Sequence, residues 1–190
     1  MIVIGFSGRA GSGKDTIAER VHSAFTSTGY NVKMVAIADD MKVILSELFL
    51  VPLDNFHDRK TKEEMDDFWG LTHREMCTKF GSDMVKPALG NDFWIRRLAR
   101  KLENITCDVL LITDIRFLED MELVTRRGGT IVFIDADERL GPLPENAHES
   151  ERQTYKVKAF SQDIITNNAS LVDFEIKIKQ FVKKVKSNLV

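Results

Sequence analysis

The sequence predicts an α/β fold, a doubly wound parallel sheet of five strands with helices on both faces and two inserted segments. Three observations carry that expectation. Short β-branched runs alternate with longer segments of helical period, the pattern of successive βαβ units. A glycine-rich turn joins the first apolar run to the first amphipathic segment. The length of 190 residues suits one domain, large enough to bury roughly 70% of its unfolded surface without disulfides or a structural metal.

Ile2–Ser7 is the first strand, and the helix behind it covers Thr16–Ser27, with Ile17, Val21, Ala24 and Phe25 on one face. Gly29 ends that helix, and Val32–Ile37 follows as a strand. Asp39 and Asp40 open a helix through Leu50, which Pro52 closes. Residues 53–70 are charged and irregular, the composition of a mobile flap. Helices over Thr72–Val85 and Phe93–Glu103 come next, separated by Pro87 and Gly90. Val109–Thr113 is the most apolar run of mid-chain, so it is expected as a buried central strand beside Ile2–Ser7. A helix over Leu118–Arg127 stops at Gly128–Gly129, and Thr130–Asp135 is the next strand. Residues 136–152 hold two prolines and many charges and read as a lid. A short strand near Asp163–Thr166 leads to a last helix, whose stripe is Leu171, Phe174, Ile178, Phe181, Val182, Val185 and Leu189.

Composition narrows the function. Lys plus Arg is 27 against 29 Asp plus Glu, so no broad basic surface is available to neutralise nucleic-acid phosphates. The lysines of the last helix read as a solvated face. Two cysteines, Cys77 and Cys107, and four histidines form no metal-ligand spacing, and the cysteines read as small core residues. No apolar window is long enough to span a membrane, and the first apolar run is too short for a signal peptide, so the expected location is the cytoplasm.

Chemistry concentrates at Gly8-Arg9-Ala10-Gly11-Ser12-Gly13-Lys14, a G-x-x-x-x-G-K phosphate loop between a strand and a helix. Glycines let successive amides point inward at a phosphate, the helix N-terminus adds positive charge, and Lys14 supplies a compact cation. That motif makes the expected fold a P-loop NTPase. Gly8, Gly11, Ser12, Gly13, Lys14, Asp15 and Thr16 are the candidate nucleotide-binding residues. Asp15 stands where a hydroxyl on Mg²⁺ is usual. Its carboxylate is either a Mg²⁺ ligand, directly or through water, or a helix cap.

Asp114 lies just past the central strand, where such folds place the acid that holds Mg²⁺ or its waters, and Arg116 leaves on the same side. The alternative is a strand-end ion pair without chemistry. Arg116 suits a bidentate grip on a second phosphate. Between Arg74 and Asp83 an apolar face (Met76, Phe80, Met84) alternates with a polar one (Arg74, Thr78, Ser82). Gly81 there implies a close backbone approach or a helix end. Asp83 is either a sugar or base contact or a cap. Asp39 and Asp40 read as helix-capping residues or, for Asp39, a substrate contact. In the 136–152 segment, Arg139 and Arg152 flank the two-proline loop.

The phosphate loop continuing as GKDT, together with REMCTKFGSD (Arg74 to Asp83), Trp94, DIR (Asp114 to Arg116) and ITNNASL (Ile165 to Leu171), resembles the deoxynucleoside monophosphate kinases of tailed bacteriophages. The resemblance runs over nearly the full chain, although the middle insert is shorter than in the larger phage enzymes. It implies a single kinase domain over residues 1–190 with a flap (53–70) and a lid (136–152). The implied activity is Mg²⁺-dependent transfer from ATP to a (deoxy)nucleoside 5′-monophosphate. It also implies Lys14, Asp114, Arg116 and Arg139 as catalytic residues, and Asp15 and Asp114 as metal ligands. Asp39, Arg74, Asp83, Trp94 and Arg116 would contact substrate. His148-Glu149-Ser150-Glu151 resembles the family's H-x-[ST]-E, a motif to which spacing assigns no role. The implied partners are small nucleotides only, in a host cytoplasm, with the chain a monomer or homodimer. Two alternatives stay open: another small-molecule kinase, such as dephospho-coenzyme A kinase, and a nucleotide-gated binding module.

Overall fold

The alternation in the sequence becomes seven strands and nine α-helices among residues 1–58 and 60–187, which the computed structural model describes. The strands are β1 (Ile2–Ser7), β2 (Val32–Val35), β3 (Met65–Asp66), β4 (Leu71–Thr72), β5 (Val109–Ile115), β6 (Thr130–Asp135) and β7 (Asp163–Thr166). The helices are α1 (Lys14–Thr26), α2 (Asp39–Phe49), α3 (His73–Thr78), α4 (Lys86–Leu89), α5 (Phe93–Leu102), α6 (Leu118–Thr125), α7 (Asp137–Leu140), α8 (Glu149–Phe160) and α9 (Leu171–Ser187). The chain divides into two compact units, one made of Met1–Ala36 and Leu102–Val190, the other of Ile37–Lys101.

In the first unit five strands form one parallel sheet in the order β2-β5-β1-β6-β7, with β1 paired to β5 as the sequence predicts. Val109 to Ile112 are all buried, the signature of a strand covered on both faces. Ile17, Val21 and Phe25 of α1 and Phe174, Ile178 and Phe181 of α9 join Ile4, Phe6, Val132 and Ile134 in one core cluster. Each such side chain contributes about 1.5–3 kcal/mol by leaving water. The β1–β5 register is irregular: Gly5 faces Ile112 but Ser7 faces Ile115, so β5 carries one extra residue around Thr113–Asp114. Bulges re-aim side chains next to functional sites. This one falls at the candidate acid.

Several expectations about elements need correction. Residues 149–152, expected as part of the 136–152 lid, open α8, of which only Thr154 and Val157 are buried, too thin a stripe for periodicity to reveal. β2 stops at Val35, two residues short of the expected end. Leu171 is exposed, because it is the first residue of α9 and lies before the helix meets the core; Leu189 lies outside the described residues. Some lysines of α9 find acceptors: Lys177 donates to Thr166 O (3.1 Å) and Lys186 to Ala24 O (2.9 Å).

In the second unit the 53–70 segment is more regular than its composition suggests. Two short 3₁₀ turns, Leu53–Phe56 and Thr61–Glu63, precede the β3–β4 hairpin, and Phe56 is fully buried. His73 is buried and bonds the Thr61 carbonyl at 2.8 Å. That bond requires its Nδ1 to carry the proton. The expected helix over Thr72–Val85 begins with a capping box between Thr72 and Glu75, then changes at Lys79 to a π-helix through Val85. Five-residue hydrogen-bond spacing rotates later side chains off the α-helical face. Met84, expected beside Met76 and Phe80, is therefore exposed. Gly81 confirms the close approach: Trp94 Nε1 donates to its carbonyl at 3.2 Å, and an added Cβ would stand 2.3 Å from Met41 Sδ.

Candidate phosphate-binding site

β1 is buried to its end and delivers the chain into the loop, where Gly8, Gly11 and Gly13 all have positive φ. Two of them have no alternative. A Cβ at Gly8 (φ 147°) would lie 2.7 Å from the Ile134 carbonyl, and one at Gly13 (φ 98°) would lie 2.7 Å from Asn167 Nδ2. With the left-handed backbone, the loop curls so that its carbonyls face outward. There they are held: Asn167 Nδ2 donates to Ser12 O (2.8 Å), and Arg139 donates to Gly11 O (2.8 Å) and Asn167 O (3.0 Å). The amides of the first helical turn, which a helix leaves without partners of its own, face the other way.

Three buried side-chain oxygens have no partner among the described residues: Ser7 Oγ, Ser12 Oγ and Asn168 Oδ1. All belong to the loop, its entry or the segment that clamps it. Buried polar atoms are normally bonded. An anion-binding cradle with orphaned hydroxyls fits a polyphosphate.

Lys14 is 8% exposed, and its pKa is lowered, first by burial and then by the positive charge of Arg116; Asp15 and Asp114 partly restore it. Lys14, Asp15, Asp114 and Arg116 therefore share one electrostatic neighbourhood, as their expected common edge of the sheet requires. Asp15 is 72% exposed and pairs with Lys14 at 3.4 Å. Asp114 is half-buried at the end of β5. Thr16 is half-buried on the first turn of α1. No cluster of three acidic, His or Cys residues that could cage a metal occurs among the described residues. Mg²⁺ needs none, since it keeps several waters and takes one or two carboxylates plus substrate phosphates. Asp15 and Asp114 fit that demand.

Several residues here have contacts to which no sequence motif assigned a role. Asp120 is buried, and its Oδ2 accepts the amides of both Arg116 (2.9 Å) and Phe117 (2.9 Å), fixing the backbone from which Arg116 projects. Its position in the first turn of α6 was the available signal. Arg9 is buried and ties the loop to the 136–152 segment through Gly141 O at 2.6 Å and Asp137 at 3.5 Å. Glu151 accepts the Ala10 amide on Oε2 (2.9 Å) and the Arg116 guanidinium on Oε1. Burial pushes the Glu151 carboxyl up, but Arg116 and the Ala10 amide outweigh it, and its pKa is lowered. Arg139, expected near the transferring group, has its guanidinium engaged on the loop's carbonyl side. Arg152 donates to Glu145 O, within its own segment.

The other expected substrate residues lie in the second unit. Asp39 sits in the first turn of α2, where Ala38 and not Asp39 is the N-cap, 3.9 Å from Lys42. Its neighbour Asp40 pairs with Arg97 (3.0 Å) and Lys101 (2.9 Å). Arg74 donates to Glu63 at 2.6 Å, and Asp83 is exposed on the π-helix. Trp94 is buried in the cluster of Met41, Leu45, Phe56 and Met76, which makes it a packing residue of that unit. Burial raises the pKa of the half-buried Cys77 and Cys107 thiols, so neither is an activated nucleophile.

Comparisons with known proteins bear on the whole arrangement. No curated protein sequence matches the chain. Shikimate kinase from Aquifex aeolicus has a similar structure at TM-score 0.51 and 12% identity, with 99% of this chain and 98% of that one covered. Shikimate kinase from Bacteroides thetaiotaomicron is similar at TM-score 0.50 and 15% identity, covering 97% and 98%. These likenesses show the fold, an α/β P-loop NTPase fold with a five-stranded parallel sheet flanked by helices. The sequence pattern of the deoxynucleotide monophosphate kinases matches residues 53–178, a stretch that excludes the phosphate loop and so adds to it independently. With more than half of the sequence matched, the chain belongs to the deoxynucleotide monophosphate kinase family.

Proposed function

We propose that the protein transfers the γ-phosphoryl group of ATP to a deoxynucleoside 5′-monophosphate, giving the diphosphate and ADP. The observation that supports this most is the pairing of two cations from separate elements, Lys14 of the loop and Arg116 beyond β5, close enough that Arg116 adds to burial in lowering the Lys14 pKa. In-line transfer requires charge on both the donor and the acceptor phosphate, with little covalent chemistry. Loop amides and Lys14 bind the donor phosphates, and Arg116 grips the acceptor phosphate. Asp15 and Asp114 would hold Mg²⁺, which when bound neutralises charge developing on the phosphates. Arg139 and Asn167 keep the loop carbonyls turned outward. The substrate contacts expected of Asp39, Arg74 and Asp83 belong to this proposal. So does closure of segments 53–70 and 136–152 over the substrates, which would keep water from the phosphoryl group.

The second reading is the same transfer to a different small acceptor. Its basis is that the fold also serves kinases named for shikimate, so fold alone does not select the acceptor. ADP release measured with each of the four deoxynucleoside monophosphates, dephospho-coenzyme A, shikimate and no acceptor decides between them. Acceptor-dependent release with a deoxynucleoside monophosphate supports the first reading. Release with dephospho-coenzyme A or shikimate alone supports the second, and acceptor-independent release contradicts both.

A further inference from the structure

Glu151 is the third residue of α8, after the N-cap His148, whose ring nitrogen accepts the Ser150 amide at 3.2 Å. A glutamate there commonly folds back to cap its own helix. This one does not: one oxygen takes the Ala10 amide of the phosphate loop and the other the Arg116 guanidinium. Its side chain is 17% exposed and that of Arg116 is 22%, so neither pairing is a loose surface contact. The carboxylate engages the guanidinium at Nη1. A guanidinium engaged at Nη1 can present its Nε–Nη2 edge to a bidentate anion. A negative charge at this point also relieves the repulsion between Arg116 and Lys14.

We propose that Glu151 is a positioning residue: by bridging Ala10 and Arg116 it fixes the acceptor-gripping guanidinium at a set place relative to the donor loop. This rests on the reading of Arg116 as the acceptor-phosphate contact. It gives the H-x-[ST]-E segment a division of labour, with His148 shaping the helix end and Glu151 reaching out of it. A carboxylate that merely stabilised α8 would leave substrate kinetics alone. One that bridges must have both its charge and its reach.

Steady-state kinetics of Glu151→Gln and Glu151→Asp, each alone and combined with Arg116→Ala, test this, together with binding of a non-hydrolysable ATP analogue. Gln has a single acceptor oxygen, and Asp keeps the charge but is one methylene too short to span both partners. Both are expected to raise the KM for the deoxynucleoside monophosphate about tenfold, the scale of one charged hydrogen bond. The analogue's Kd should stay within about twofold and the melting temperature near that of the parent. In the Arg116→Ala background neither should add a further change. Full acceptor affinity in Glu151→Asp would show that charge without reach suffices and would overturn the bridge. So would an equal effect in the Arg116→Ala background, or a lowered acceptor KM, which would mark Glu151 as a competitor for Arg116. If Arg116→Ala itself leaves the acceptor KM unmoved, or the parent phosphorylates no deoxynucleoside monophosphate, the underlying reading has failed and the bridge falls with it. Arg116→Ala raising that KM while both Glu151 variants do not defeats the Glu151 proposal alone.

Discussion

Lys14 is a buried cation whose protonated form the protein disfavours, through burial and then Arg116. A fold does not gain from such a group, so its placement makes sense only for an anion that arrives later. Lys14→Ala is expected to lower kcat/KM by about 10²–10³, the scale of one preorganised electrostatic donor, with the melting temperature unchanged or slightly higher. A fall in both would mark the lysine as structural. Asp15→Asn should raise the Mg²⁺ concentration for half-maximal rate and leave metal-free ATP binding equal or tighter; superimposable Mg²⁺ titrations would show that Asp15 serves only Lys14 and the helix end. The residues of the loop and of DIR were legible because spacing and flanking elements identify them. The contacts of Glu151, a motif residue without an assigned role, and of Asp120 and Arg9 were not. Each acts through a contact distant in sequence or through the backbone, which no local pattern encodes.

Helices with a full apolar stripe, α1 and most of α9, were legible from the 3.6-residue period, and the central strands from their β-branched runs. The pattern failed where burial is sparse, at α8, and where hydrogen bonding changes period, at the π-helix. Gly81 bridges these levels: an added Cβ would stand 2.3 Å from Met41 Sδ and force that side chain to shift, so Gly81→Ala should cost about 1–3 kcal/mol by overpacking, read as a lowered denaturation midpoint. Asp40 joins α2 to α5 through Arg97 and Lys101. Burial pushes its carboxyl up, but the two cations prevail and its pKa is lowered. A depressed folded pKa gives stability that is present above the unfolded aspartate value of about 3.9 and lost as pH falls through the folded one. Asp40→Asn should therefore be less stable than the parent at pH 7, by under about 1 kcal/mol because both partners are half exposed, and the difference should vanish in acid. A gap that persists at pH 2 would point to packing instead of charge.

At the scale of the molecule, the parallel sheet in the order β2-β5-β1-β6-β7 sets the chemistry by bringing the loop after β1 beside the end of β5. Ligands of open α/β sheets sit at the carboxyl ends of such strands. That much the sequence could reveal, since strand pairing follows from where the apolar runs and the phosphate loop fall. The acceptor is a different matter, because pocket shape depends on side chains that no spacing rule places. Among the described residues no helix is long and apolar enough to cross a membrane, and the acceptors under test are small and water-soluble. The most direct measurement is to incubate the protein with γ-labelled ATP, Mg²⁺ and a deoxynucleoside monophosphate, then separate the products. Label in the deoxynucleoside diphosphate, absent with Lys14→Ala and reduced with Arg116→Lys, is the expected result. Label found only in inorganic phosphate, or transferred to another acceptor and to no deoxynucleoside monophosphate, would contradict it.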